Sequence, residues 1–232
     1  MRQTLRGNRI PASASCEPRP DGCPPVLLIH GYLATRGSLA LMERRLTEQG
    51  HLVLSYRLGL LHTADISESA AFIARKIESI AAQTGLDRMD IVGHSMGGLV
   101  ALYYLKRLGG RRRVRRLVML GTPVGGTWSA LLGVAAMPFG GASSQLLPDS
   151  QFLRDLADGE LPEGVEIVCI SGDRDRVAPP ARTVLAGVRH ICLPTNHAGL
   201  LVDEQVANVV GEILASPSVA GANGDETAAH RR

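Results

Sequence analysis

The chain has 232 residues, 45% of them hydrophobic, and a formal net charge of +3. This length suits one α/β domain, and the apolar content is sufficient for a substantial core. Because no run of about eighteen apolar residues occurs, no transmembrane helix is predicted. The small net charge argues against a nucleic-acid partner. The one dense basic cluster, residues 111–116, is expected to be a solvated loop.

The two ends of the chain differ in composition from its middle. Residues 1–23 are rich in Pro, Ser and Arg and are expected to be loosely ordered. They contain no apolar segment of the kind that a signal peptide needs, so a cytoplasmic location is expected, with export as the alternative. Residues 216–232 are rich in small and polar residues, which predicts a disordered tail. The folded domain is therefore expected at 24–215.

The four cysteines do not have the spacing of metal ligands. Cys16 and Cys23 would bridge a short loop if the protein were exported. Cys169 and Cys192 fall in predicted strands and are expected to behave as small buried apolar residues.

Apolar runs and amphipathic segments alternate along the chain from residue 25. Strands are predicted at residues 25–32, 51–56, 89–92, 114–120, 166–171 and 189–193, and helices at 38–49, 63–82 and from 203 or 204 to 214. A further helix is predicted from Met96, where apolar residues recur at helical spacing. This alternation indicates a parallel sheet with helices on both faces.

The pentapeptide at residues 93–97, Gly-His-Ser-Met-Gly, joins a predicted strand to a predicted helix. In that context Gly-x-Ser-x-Gly is typical of a nucleophile elbow, a turn so tight that a Cβ two residues from the serine would collide with backbone. The following helix directs its first amide N–H groups and its positive dipole end at Ser95, where an oxyanion would be stabilised. The alternative is a glycine-rich turn with no chemistry, since the pentapeptide alone is a weak signal.

The segment 91–98, Ile-Val-Gly-His-Ser-Met-Gly-Gly, resembles the active-site elbow of α/β-hydrolases, and among them that of bacterial lipases and esterases of the triacylglycerol lipase kind. The resemblance implies that Ser95 is the nucleophile. It also implies an oxyanion hole formed by the backbone amides of Met96 and of Tyr32, which follows the His-Gly pair at the end of the first strand. The side chain of His30 is expected to satisfy loop hydrogen bonds rather than to take part in the chemistry.

The first strand lies close to the beginning of the sequence. Only about 24 residues precede it, which leaves no room for the two antiparallel strands that open the full α/β-hydrolase fold. We therefore predict a reduced α/β-hydrolase fold with about six mostly parallel strands, helices on both faces and a lid-like insertion.

Residues 124–163 interrupt the alternation with glycines and short apolar segments. A connection this long is unusual in a compact domain and is often functional, and related hydrolases carry a cap or lid at this position. Leu146, Leu147 and Phe152 are expected to belong to a short amphipathic helix over the active site and to contact an apolar acyl group. The alternative is an ordinary insertion packed on the sheet edge.

A serine hydroxyl needs an adjacent base, and the base needs an acid that orients it. In α/β-hydrolases the three occur in the order Ser, then Asp or Glu, then His. Three of the seven histidines come late enough in the chain. His190 would lie at the wrong end of the last strand, and His230 is in the tail. His197 follows the last strand by a short loop and is predicted to be the base.

The acid is expected in the loop after the strand at 166–171, where Asp173 and Asp175 both lie. The family pattern Gly-x-x-Asp-x-Val, begun at Gly172, selects Asp175, with Asp173 as the alternative. This carboxylate would accept a hydrogen bond from the histidine Nδ1–H and stabilise the imidazolium.

These residues predict an esterase or lipase that cleaves carboxylic esters of apolar acids through an acyl-enzyme. An acyltransferase or thioesterase with the same triad is one alternative, because the fold does not decide the acceptor; a non-catalytic binding domain is the other. The expected partner is a small-molecule or lipid ester. No metal or organic cofactor is implied, and the oligomeric state is not predicted.

Overall fold

Six parallel strands form one sheet among the residues that the computed structural model describes, which are 24–32, 34, 36–55, 65–131 and 141–217. The strands are β1 Val26–Ile29, β2 Val53–Ser55, β3 Met89–His94, β4 Val114–Leu120, β5 Glu166–Gly172 and β6 Arg189–Leu193. Their order is β2-β1-β3-β4-β5-β6, and each neighbouring pair is parallel. The predicted sheet of about six mostly parallel strands is confirmed.

The order of the strands reverses direction at β1. From β1 the chain moves to β2 on one side and then returns to β3 on the other side, where Ile29 lies opposite Gly93. In open α/β sheets, ligands bind outside the carboxyl ends of the strands at such a switch point. The residues that follow β1 and β3 therefore lie side by side where a site is expected.

Helices cover both faces of the sheet. They are α1 Ala40–Glu48, α2 Ile66–Thr84, α3 Met96–Arg107, α4 Gly141–Gln145, α5 Gln151–Ala157, α6 Pro180–Thr183, α7 Gly199–Val202 and α8 Glu204–Ala215, with 3-10 turns at Arg36–Leu39 and Gly110–Arg112. Leu27 and Ile29 share one apolar cluster with α2 and α3. Val26 and Leu28 share the other with α1 and α8. Because successive strand residues point to opposite faces, the continuous apolar run of β1 is buried on both sides.

The limits of α2 follow from its capping residues rather than from its apolar stripe. The Asp65 carboxylate accepts a hydrogen bond from the Ser67 amide at 2.7 Å and caps the first turn. Gly85, at φ +70°, ends the helix in the left-handed conformation that glycine adopts without strain. The helix therefore runs over 66–84 and extends beyond the predicted end at 82; the predicted start, at 63 and 64, lies outside the described residues. The predicted buried stripe is confirmed at Ile66, Ala70, Ile73, Ile77 and Ile80.

The expectation of a solvated arginine loop is wrong for its last two members, which lie in β4. Arg116 is fully buried and pairs with Glu166 of β5 at 2.6 Å. Arg115 pairs with Asp90 of β3 at 2.5 Å. Both guanidinium groups also donate to the backbone oxygen of Leu214, near the end of α8. Carboxylates on the two flanking strands and a helix C-terminus therefore compensate the buried charge.

The two cysteines of the described sheet differ in exposure. Cys169 is buried in β5, as predicted, and burial raises the pKa of its thiol to about 11. Cys192 is exposed, so the prediction that it is buried is wrong. It lies in β6, the last strand of the sheet, which has a neighbouring strand on one side only.

In the part of the insertion that the structure describes after residue 140, two short helices, α4 and α5, replace the single predicted helix. Pro148 and Asp149 form a turn between α4 and α5, and Asp149 has a φ of +59°. The Ser150 hydroxyl then caps α5 by accepting a hydrogen bond from the Leu153 amide. Leu153 and Leu156 are buried in the core against α3, and the role of the insertion as a lid stays a prediction.

Several expectations fall outside the described residues. These are the loose order of 1–23, the disorder of the tail beyond residue 217, and the state of Cys16 and Cys23. Within the described residues, none of the helices combines the length and the apolar character that crossing a bilayer requires.

Candidate active site

Ser95 occupies a strained turn between β3 and α3. Its φ of +53° and ψ of −126° lie outside the regions that side-chain-bearing residues normally adopt. Such a conformation costs on the order of 1–3 kcal/mol and persists only where the surrounding structure enforces it. One constraint is the hydrogen bond from the Ser95 amide to the Leu120 backbone oxygen at 2.8 Å. The turn projects the serine at the carboxyl edge of the sheet.

The glycines on either side of Ser95 are required by backbone packing. A Cβ at Gly93 would lie 2.7 Å from the Gly97 oxygen, and a Cβ at Gly97 would collide with the Ile29 oxygen of β1. Neither neighbour can move without displacing a strand or a helix. The steric reason inferred from the pentapeptide thus agrees with the structure.

The loop after β1 passes directly beside Ser95. A Cβ at Gly31 would lie only 2.9 Å from Ser95 Cβ. Tyr32 follows, and its hydroxyl is 2.6 Å from the Ser143 Oγ of α4. Met96 is the first residue of α3, so its N–H has no acceptor within the helix. Of the two predicted oxyanion residues, Met96 therefore follows Ser95 directly and Tyr32 follows the glycine that packs against it.

A buried carboxylate and an imidazole are in direct contact at this edge. His197 Nδ1 lies 2.7 Å from Asp175 Oδ2. The other carboxylate oxygen of Asp175 accepts hydrogen bonds from the Val177 and Ala178 amides, both at 2.8 Å. The carboxylate is therefore held through both oxygens, and the His197 ring is oriented by one of them.

Asp173, the alternative acid, has a different environment. Its side chain is 51% exposed and pairs with Arg174 at 3.4 Å. The loop turns back at Gly172, whose oxygen accepts the Asp175 amide at 3.1 Å. This turn directs Asp175 inward to His197 and leaves Asp173 in solvent.

Gly121 packs closely against the Asp175–His197 pair. It has a φ of +54°, and a Cβ there would lie 3.1 Å from both Asp175 Oδ2 and His197 Nδ1. The same Cβ would contact Leu200 at 2.7 Å. A side chain at this position would thus push the imidazole away from the carboxylate.

His94 joins the serine turn to the loop of His197. Its Nε2 is 3.1 Å from the His197 backbone oxygen, and the two ring centroids are 4.6 Å apart. Burial, reinforced by the nearby charge of His197, lowers the pKa of His94 to about 3. The ring is therefore neutral near pH 7, with Nε2–H as the donor. Within the described part of the chain, its buried Nδ1 has no hydrogen-bond partner, as expected for the unprotonated nitrogen of that tautomer.

His30 has the structural role that the sequence predicted. Its Nδ1 is 3.1 Å from the Gly31 backbone oxygen, and burial lowers the pKa of its imidazole. This hydrogen bond stabilises the turn that precedes Tyr32.

The three predicted acyl-binding residues have different surroundings. Leu146 is buried in the core, and its backbone oxygen accepts the Thr127 amide at 2.8 Å. Leu147 is half-buried and lies against Gly126, beyond the carboxyl end of β4. Phe152 stacks on Tyr103 of α3, with ring centroids 5.7 Å apart. Leu147 thus combines partial exposure with a position on the active-site side of the sheet.

A family model described as the alpha/beta hydrolase fold matches residues 24–162, more than half of the chain. The chain belongs to the α/β-hydrolase fold family. The fold predicted from the elbow resemblance is thereby confirmed for this α/β-hydrolase. No group of three or more His, Cys, Asp or Glu side chains suited to a metal ion occurs among its described residues.

Solved structures of low sequence identity share the fold of this α/β-hydrolase. Bacillus licheniformis lipase BlEst2 in its propeptide form has a TM-score of 0.75 and 16% identity over 86% of this chain and 52% of its own. Aspergillus fumigatus lipase B has a TM-score of 0.73 and 18% identity over 91% and 57%. An enol-lactonase from Burkholderia xenovorans has a TM-score of 0.61 and 20% identity over 84% and 92%. The chain thus spans little more than half the length of the first two.

Two residues beside the site of this α/β-hydrolase were not predicted. His94 lies inside the elbow pentapeptide, but its contact with His197 depends on two loops far apart in sequence. Ser143 has no sequence signal, because its partner Tyr32 is 111 positions away.

Proposed function

We propose that this protein is a serine hydrolase of carboxylic esters with apolar acyl groups. The observation that carries the proposal is the 2.7 Å hydrogen bond between His197 and the amide-bound Asp175, at the same sheet edge as Ser95 in its strained turn. A base with a fixed orientation beside a strained serine is the requirement for activating a hydroxyl nucleophile.

In the proposed first step, the Ser95 hydroxyl attacks the ester carbonyl carbon while His197 Nε2 removes its proton. Asp175 keeps the histidine in the tautomer with Nδ1 protonated, so that Nε2 has a free lone pair. As the new C–O bond forms, the electron pair of the carbonyl bond moves to its oxygen. Asp175 also stabilises the positive imidazolium that results.

The oxyanion is proposed to accept hydrogen bonds from the Met96 and Tyr32 backbone amides. The α3 N-terminus contributes the positive end of its dipole at the same place. When the tetrahedral intermediate collapses, the alkoxide leaves with the proton from His197 and Ser95 remains acylated. Water then attacks the acyl-enzyme with His197 as base, which releases the acid and restores the serine.

The apolar acyl group is proposed to contact the insertion at residues 124–163. Leu147 has the placement that best supports this contact, while Leu146 and Phe152 would shape its surroundings from the core and from α3. Two lipases and an enol-lactonase are among the proteins of similar structure, which supports an ester as the substrate class.

The proposal is tested by steady-state hydrolysis of p-nitrophenyl butyrate. The wild-type protein should turn over the ester, and Ser95→Ala should lower kcat by three orders of magnitude or more, because the nucleophile has no substitute. Ser79→Ala on the outer side of α2 is the matched control and should retain wild-type kcat. Activity above about one per cent in Ser95→Ala would contradict the elbow assignment. Product analysis with water or an alcohol as the acyl acceptor then separates a hydrolase from an acyltransferase. Turnover of a thioester in place of the ester identifies a thioesterase.

A further inference from the structure

The side chain of Tyr32 connects the loop after β1 to the insertion. Its hydroxyl and the Ser143 Oγ are 2.6 Å apart, a normal length for an O–H···O hydrogen bond. Ser143 is fully buried in α4. This contact joins the insertion to the residue that follows Gly31, where the loop passes beside Ser95.

The α4 helix is itself anchored to the core. The Gln145 carboxamide donates to the Asp65 carboxylate at 2.6 Å and accepts the Ile66 amide at 2.8 Å. Asp65 caps α2, whose apolar stripe is completely buried. Ser143 therefore has a fixed position, and its hydrogen bond with the Tyr32 hydroxyl restrains the tyrosine.

The other restraints on the described residues of this loop include the hydrogen bond of His30 to the Gly31 oxygen and the packing of Tyr32 against the core. The turn after Gly31 closes with a 3.3 Å hydrogen bond from the Ala34 amide to the Gly31 oxygen, which is long for a backbone hydrogen bond. An oxyanion donor works only when it lies about 2.7–3.1 Å from the developing charge. A misplacement of about 1 Å can cost on the order of a hundredfold in rate.

We infer that Ser143 is a positioning residue for the oxyanion hole, which it controls through the Tyr32 hydroxyl. The inference rests on the proposed function, because it assumes that the Tyr32 N–H binds the oxyanion. The inference gives α4 a role distinct from acyl binding. This helix would set the direction of the Tyr32 backbone N–H, which belongs to the loop after β1.

The test compares Tyr32→Phe and Ser143→Ala, each of which removes one hydroxyl and keeps every backbone amide. Both should lower kcat on p-nitrophenyl butyrate about tenfold, with KM changed less than about twofold, because the lost interaction acts on the transition state. Ser144→Ala is the matched control. Its hydroxyl is exposed and bonds to Gly141 within the same helix, so its kcat should stay at the wild-type value.

Two further readouts separate positioning from a general structural effect. The double variant Tyr32→Phe/Ser143→Ala should be no slower than the slower single variant, because both changes remove the same hydrogen bond. A boronic acid forms a tetrahedral adduct on the serine with an oxygen in the oxyanion hole. Its Ki should rise in each single variant by the factor by which kcat falls.

The contrary outcomes are equally specific. Four outcomes would each overturn the positioning role alone. They are a wild-type kcat in folded Tyr32→Phe and Ser143→Ala, a change confined to KM, additive losses of kcat in the double variant, and an unchanged boronate Ki. Failure of the wild-type protein to hydrolyse the ester would overturn the proposed function together with this inference.

Discussion

The Nε2 of His94 lies 3.1 Å from the backbone oxygen of His197, and the two rings are 4.6 Å apart. His94 directly precedes Ser95 in the chain. The contact therefore ties the turn of the proposed nucleophile to the loop of the proposed base. Because the ring is buried, protonation of His94 is disfavoured in the folded protein, and stability should depend on pH through this residue.

We predict that His94→Gln reduces the loss of stability in acid. The pKa of His94 is about 3 in the folded protein against 6.5 for an unperturbed histidine, so below pH 6.5 the unfolded state binds a proton that the folded state does not. Stability from this group is nearly complete at pH 7 and is lost progressively as the pH falls from about 6.5 towards about 3, by roughly 2 kcal/mol between pH 6.5 and 4.5.

The measurement is urea unfolding of both proteins at pH 7 and pH 4.5. Glutamine can still donate to the His197 oxygen, so the variant should fold. The neighbouring groups His197, Asp175 and His30 are common to both proteins, and their titration largely cancels in the comparison. An equal loss of unfolding free energy in the two proteins would show that His94 does not stay neutral.

The two aspartates of the β5 loop should differ sharply in their effect on catalysis. Asp175→Asn should lower kcat by about a thousandfold or more, because the amide no longer selects the histidine tautomer or stabilises the imidazolium. Asp173→Asn is the matched control, since Asp173 is exposed and pairs with Arg174, and it should change kcat less than about threefold. Reversed losses in steady-state ester hydrolysis would assign the acid role to Asp173.

The buried Arg116 should contribute to stability rather than to activity. Arg116→Met leaves the Glu166 carboxylate without the guanidinium that donates to it, and removing one partner of a buried pair costs about 3–5 kcal/mol. Arg111→Met, at an exposed position in the same basic cluster, should cost less than about 0.5 kcal/mol. Urea unfolding at pH 7 measures both; equal stabilities would contradict the buried-pair account.

The acyl preference should respond to Leu147. Each methylene buried by the substrate contributes about 0.8 kcal/mol, so kcat/KM should rise from acetyl to medium-chain p-nitrophenyl esters. Leu147→Ser should flatten this rise and spare acetyl ester turnover. Leu108→Ser, at the other end of α3 from Ser95, is the control and should keep the wild-type profile. A wild-type profile that is flat, or one that Leu147→Ser leaves unchanged, would remove this residue from acyl binding.

The sequence predicted most of the sheet and the location of the site because their determinants are local. The strands at 114–120 and 189–193 were predicted with their observed limits, since apolar runs bounded by turns define them. The sequence predicted that Ser95, Asp175 and His197 lie at one edge of the sheet, and the structure has them there. Their catalytic roles stay predictions.

The errors concern contacts between distant segments. Arg116 is buried because Glu166 and the end of α8 converge on it, which its neighbours in the arginine cluster do not indicate. Cys192 is exposed because β6 is the last strand of the sheet. The helix predicted across 146–156 begins only at Gln151, because the chain turns at Pro148 and Asp149. An apolar count does not detect the positive φ of Asp149.

Covalent labelling with a fluorophosphonate, followed by mass mapping, tests the central claim that Ser95 is an activated nucleophile. The wild-type protein should gain one phosphonyl group, located on the peptide that contains Ser95, and Ser95→Ala should gain none. His197→Ala should react at least a hundredfold more slowly, because the serine loses its base. Labelling at another residue, or equal labelling rates in the wild type and His197→Ala, would contradict the account.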